Sequence, residues 1–220
     1  MLSLIKKDLI VLRRMIIFAA GYSVFIFLAF SNPVFRPFIY IMGAVVIGYI
    51  FVLSVIQAEF KNNSDVILNS LPVSRKDIVS ARFVSIFILT ALALAILGSV
   101  GLILRVLPLP LEVPIITLKD ALISLGLIVL MSSLFLPAYH LTAGKWLQIL
   151  NIIFFMVVFF APATITQILI EHTDKAWALN LVSLHTKNPW LLPFLSAAVL
   201  ALLLMLSFAL TLIIYRKRDF

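Results

Sequence analysis

Residues 59–82 read EFKNNSDVILNSLPVSRKDIVSAR, and the rest of the chain is organised around this interval. It carries Glu59, Lys61, Asp65, Arg75, Lys76, Asp77 and Arg82 between two long apolar segments. Its helix signals are explicit. Asn63 or Ser64 caps a short helix from Asp65 to about Leu71, with the acid at the favourable positive end. Pro72 stops it, because its ring disfavours helical geometry at Leu71. Ser74 is a second N-cap, with Asp77 three residues on as the capping-box carboxylate and Val73 and Ile78 placed as a hydrophobic staple. The next helix therefore starts near Arg75 and continues into the apolar segment ending at Leu104. It is about 45 Å long, which exceeds a hydrocarbon core of ~30 Å by roughly 15 Å. The spacing predicts a stalk standing out of the membrane, with the short helix crosswise at its tip. Val66, Ile67, Leu68 and Leu71 make that helix too apolar to stay wet without a partner, so it reads as a docking element. The plainer alternative is a loop folded back onto the headgroups.

The remaining composition sets the solvent. Of 220 residues, 64% are hydrophobic and 12% charged, more apolar surface than one soluble core of this length hides. The chain reads as a single transmembrane domain over residues 1–220. There is no cysteine and only three histidines, His140, His172 and His185, far apart in sequence, so neither a disulfide framework nor a metal centre is expected. The net charge of +8 would suit nucleic acid if it were clustered. Its distribution fits membrane topology instead, and no nucleic-acid partner is expected.

The apolar segments predict an all-α polytopic membrane protein with six spans. Residues 1–14 form an amphipathic interfacial helix, with Leu2, Ile5, Leu9 and Leu12 at helical spacing and Lys6, Lys7, Arg13 and Arg14 off that stripe, against anionic headgroups. No small-residue cleavage pattern follows it. The spans are Met15–Phe30, Phe38–Ala58, Phe83–Leu104, Ala121–Tyr139, Gln148–Ile170 and Trp190–Tyr215. Ser31-Asn32-Pro33 and Arg36-Pro37 separate the first two. The connection Arg105–Lys119, with Pro108, Pro110 and Pro114, resists helix formation, and Pro162 kinks or shortens the fifth span. An even number of spans puts both termini on one side. If that side is the cytoplasm, Lys6, Lys7, Arg13, Arg14, Lys61, Arg75, Lys76, Arg82, Lys145, Arg216, Lys217 and Arg218 lie inside. Arg36, Arg105, Lys119, Lys175 and Lys187 lie outside. Twelve against five is a positive-inside bias, so residues 59–82 are expected to be cytoplasmic.

The chain lacks the signatures of an enzyme. It has no GxxxxGK[ST], no HExxH and no serine–histidine–acid pattern. No charge falls in the middle of a span, where proton- or ion-driven carriers place one. Energy for any transport must come from elsewhere. Glu59 can pair with Arg82 across the stalk, either to couple motion or only as a boundary ion pair. Gln57, Asn151, Thr164, Thr166 and Gln167 either line a path or make interhelical hydrogen bonds. Gly43, Gly48, Gly98 and Gly101 permit close helix approach. The 18 phenylalanines suit an amphipathic cargo or plain lipid contact.

The run Glu59…Asn63-Ser64-Asp65…Leu68-Asn69-Ser70-Leu71-Pro72-Val73-Ser74-Arg75-Lys76-Asp77-Ile78-Val79…Arg82 resembles permease subunits of the ABC-2 type from bacterial ATP-binding-cassette exporters. Leu4-Ile5-Lys6-Lys7-Asp8-Leu9 and Tyr215-Arg216-Lys217-Arg218-Asp219-Phe220 are similar to that family too. The resemblance implies an N-terminal connecting helix and a coupling helix of Asp65, Val66, Ile67, Leu68 and Leu71 up to Pro72, docked on a separate ATPase subunit. Glu59, Ser74, Arg75, Asp77 and Arg82 would form the stalk that transmits motion. It implies two ATPase copies holding the ATP and Mg, no cofactor on this chain, and a second permease subunit, identical or paralogous. It also implies export of amphipathic peptides or hydrophobic compounds from the bacterial cytoplasm, and re-entrant helices after the fifth span. The rival readings are the membrane-embedded substrate-binding subunit of an energy-coupling importer and a toxin-immunity membrane protein.

Overall fold

The architecture comes from a computed structural model that describes residues 2–31, 35–62, 74–108, 112–142 and 190–217, with residues 149, 152, 153, 156 and 188. The main helices there are α1 (Leu2–Val11), α2 (Arg13–Ala29), α3 (Ile39–Lys61), α4 (Arg75–Val106), α5 (Leu118–Thr142) and α6 (Leu191–Lys217), with a 3₁₀ turn at Arg36–Phe38 leading into α3. Four segments are long and apolar enough to cross a membrane: Arg36–Glu59, Arg75–Val106, Leu118–Tyr139 and Pro193–Tyr215. Helices α1 and α2 supply a fifth if the pair, bent by 54° at Leu12, is taken as one span. Among the described residues the protein is thus an all-α, multi-pass membrane protein with four to five such helices. The expected fifth span, Gln148–Ile170, and the crosswise helix Asp65–Leu71 with Pro72 lie outside the described residues, apart from a few single positions in that span.

Helix α3 is the axis of the bundle. Of its most apolar window 72% is buried, against 11% for α6, which lies at the periphery. Helices α4 and α5 pack on α3 from two sides, α2 packs on α4 and α3, and α6 packs chiefly on α5. Ala44, Phe51, Ala93, Leu97, Ile128 and Phe135 are fully buried where these helices meet. Burying such residues within protein gains dispersion contacts that lipid tails fit less closely, so small residues set the approach distance. Gly48 is one such point, since a Cβ there would lie 2.5 Å from Ile128 Cδ1. Gly101 is another, pressed by Tyr40 and Phe27. Gly98, expected to serve the same purpose, faces open space.

Helix α4 starts where the capping signals put it and runs unbroken for 32 residues, about 48 Å. Helix α5 begins at Leu118, three residues ahead of the expected start. The cause is a second capping box. The Thr117 hydroxyl accepts from Asp120 N–H at 3.2 Å, and the Asp120 carboxylate accepts from Thr117 N–H at 3.0 Å. Residues 112–117 preceding it are non-helical, as three prolines in the connection require. They are clipped to the start of α3 by the Arg36–Glu112 ion pair and by Tyr40 O–H, which donates to Pro114 C=O at 3.0 Å.

Pro137 lies inside α5, which continues past it to Thr142. A proline has no N–H to donate, so the carbonyl of Ser133, four residues earlier, loses its intrahelical partner. The hydroxyl of Ser207 on α6 donates to that carbonyl at 2.6 Å. In a bilayer nothing else would satisfy it cheaply, which is how membrane helices tolerate an interior proline. Gly126 and Leu200 also face each other, with 3.1 Å from a Cβ at 126 to Leu200 Cδ1. Both pairs have the same sequence offset, so α5 and α6 run parallel in one register.

Candidate functional site

Four helices converge at the Ser74 end of α4, and nearly all the stalk residues singled out from the sequence lie there. Ser74 adopts extended geometry (φ −69°, ψ 145°). Its hydroxyl accepts from Asp77 N–H at 3.1 Å and donates to the Asp77 carboxylate at 2.6 Å. Asp77 also sits over the positive end of the helix dipole. The first residue of α4, Arg75, donates from Nη1 to the carbonyl of Tyr215 on α6 at 3.2 Å. Two turns on, Arg82 holds Glu59 of α3 at 3.0 Å and stacks over the Tyr215 ring at 5.8 Å from its centroid.

The other oxygen of Glu59 is held by Lys7 of α1. Lys7 is also 3.5 Å from Asp8, whose carboxylate accepts from the Ser85 hydroxyl on α4 at 2.6 Å. Asp8 and Glu59 are 6% and 7% exposed. Two buried acids face two cations, so the cluster is neutral as a set. That balance is what makes the burial affordable, because a lone buried charge costs several kcal/mol, roughly. A small cavity lies against the cluster, lined by Asp8, Glu59, Arg82 and Ser85 on one side and by Val52, Ile56 and Leu89 on the other. Burial pushes the Asp8 carboxyl above its usual range. The Ser85 hydrogen bond and Lys7 pull against that shift, and the neighbouring Glu59 charge adds to it.

The arrangement ties α1, α3, α4 and α6 into one unit at the root of α4. No reacting group is offered, and no set of three metal-binding side chains occurs among the described residues. What the site can do is mechanical: a push on the Ser74 end of α4 reaches three other helices through short polar contacts. Of the predicted interfacial cations, Lys6, Arg13 and Arg14 are exposed, whereas Lys7 is turned inward onto Glu59. Asp65, Val66, Ile67, Leu68, Leu71 and Pro72 lie outside the described residues.

Three participants escaped the sequence reading. Asp8 was legible in principle, since it falls three residues after Ile5 on the inward stripe, where an acid needs a partner. Ser85 and Tyr215 carried no signal, because a serine and a tyrosine at span ends are ordinary residues.

Among the described residues, the chain is a bundle of membrane-length helices with a cluster of buried charges at one end. The chain matches the model of the ABC-2 family transporter proteins over residues 3–216, and it belongs to that family. It is therefore a permease subunit of the ABC-2 type. No curated protein and no solved structure matches it.

Proposed function

We propose that the chain is the membrane-spanning subunit of an ATP-driven exporter for amphipathic peptides or hydrophobic compounds. Two ATPase subunits, carrying the ATP and Mg, dock on the helix of Asp65, Val66, Ile67, Leu68 and Leu71 bounded by Pro72. A second permease, identical or paralogous, completes the path. Both termini face the cytoplasm of a bacterium, as the positive-inside bias requires, and Lys6, Arg13 and Arg14 rest against the headgroups of the inner leaflet.

The observation that supports this most is the single continuous α4. It is capped at Ser74, too long for the hydrocarbon core, and fastened at its root to α1, α3 and α6. A helix that overreaches the bilayer and is anchored by charges acts as a lever. Closure of the ATPase dimer moves the docking helix, α4 tilts, and the ion cluster carries the tilt into the neighbouring spans. Leu71→Asp should leave the permease folded and in the membrane while abolishing cargo-stimulated ATP hydrolysis by the co-purified ATPase. Unchanged transport by that variant overturns the lever, and purification of the permease with no ATPase bound overturns the exporter reading itself.

A further inference from the structure

Hydroxyls within the helices of this protein usually satisfy themselves. Ser23, Thr90 and Ser124 each donate to the carbonyl four residues back at 2.7 Å. Thr211 does not. It is fully buried on α6, and its hydroxyl has no hydrogen-bond partner. It stands one helical turn after Ser207, whose hydroxyl occupies the carbonyl that Pro137 leaves open. That carbonyl is a permanent acceptor, because no motion of α5 gives Pro137 an N–H. One acceptor on α5 thus faces two donors in line on α6, one engaged and one idle.

The apolar contacts repeat with the same step. Leu200 covers Gly126, and Leu204, one turn on, is a leucine too, already packed against the core. Sliding α6 by a turn, about 5.4 Å, towards its own N-terminus brings Thr211 to the Ser133 carbonyl and Leu204 over Gly126. At these two positions the new register matches the old one, whereas Leu212 takes the place of Phe208 against Phe83. We propose that α5 and α6 form a two-position ratchet, with Ser207 and Thr211 alternating on the carbonyl of Ser133. One-turn steps between packed helices are an established form of bistability. The drive comes through Tyr215, which joins the end of α6 to Arg75 and Arg82 on α4. That drive rests on the exporter reading above; the ratchet itself does not.

The chain contains no cysteine, so introduced thiol pairs are the only ones present. In membrane vesicles, G126C/L200C reports the present register and L122C/L200C the shifted one. Without nucleotide, the first pair should cross-link and the second should not. With the ATPase bound and trapped by ATP and vanadate, the second should rise several-fold. Thr211→Val should abolish that rise while leaving the first cross-link intact. Ser207→Ala, in the permease alone, should move cross-linking from the first pair towards the second. Because this last arm needs no ATPase, it separates the two ideas. A Ser207→Ala permease that keeps the wild-type cross-linking pattern overturns the ratchet. So does a trapped complex in which Thr211→Val changes nothing.

Discussion

The root of α4 and the α5–α6 seam treat buried polar groups in opposite ways. At the root, Glu59 and Asp8 are each held by groups from other helices. At the seam, the hydroxyls of Ser133 and Thr211 are buried without a hydrogen-bond partner, and Ser207 bonds across between the helices. The reason is the scale of the penalty. A stranded charge costs roughly 3–5 kcal/mol, whereas a stranded hydroxyl costs about 1–3 kcal/mol. Charges must be paired and so tie helices together, even where Glu59 Oε2 meets Arg82 as an ion pair and not as a hydrogen bond. Hydroxyls can be left idle, and an idle donor is what an alternative packing requires.

The sharpest way to break this contrast is at Glu59. Glu59→Ala takes the shared carboxylate from Lys7 and Arg82, leaving Lys7 with Asp8 and Arg82 with the Tyr215 ring, and should cost about 3–5 kcal/mol, seen as a large fall in the thermal midpoint of the detergent-solubilised protein. If Glu59→Ala is nearly silent, the cluster is not a joint. Ser207→Ala together with Thr211→Val leaves the Ser133 carbonyl without either donor and should cost less, about 1–3 kcal/mol by the same measurement, with Ser207→Ala alone costing a smaller part of it. Ser74→Ala removes one cap of α4 and should cost about 1 kcal/mol. Its effect should appear as faster amide exchange in the first turn of α4 and not at the seam.

The smallest effect is expected at Asp8. Its carboxyl binds a proton more tightly in the folded protein than the usual value of 3.8. Stability therefore falls as pH rises from that value through the raised folded value, and stays lower above it. Asp8→Asn, which keeps the Ser85 contact and faces the same Lys7, Glu59 and Arg82, should flatten that slope. Relative to wild type it should gain stability at neutral pH and nothing in strong acid. A denaturation series across pH with the two proteins checks the sign.

How much could be read in advance differed along the chain. Ser74 and Asp77 announced the start of α4 because a capping box is a local matter of four residues. Thr117 and Asp120 carry the same signature and were hidden only by the prolines before them. Pro137 stands near the end of the expected fourth span, but nothing within one turn of it names Ser207 as the group that meets the Ser133 carbonyl, since the two are separated by 74 residues. Lys7 looked like its neighbours Lys6 and Arg13, and its inward turn depends on where Glu59 arrives.

By itself the sequence determined the solvent, the helical class and the start of α4. Each of these follows from composition or from chemistry within one turn of chain. Only the tertiary structure decided which distant group answers each orphan: Ser85 for Asp8, Tyr215 for Arg75, Ser207 for the carbonyl before Pro137. Lipid offers no hydrogen bonds, so every such need is met by whichever helix packs alongside, and packing is a property of the whole bundle.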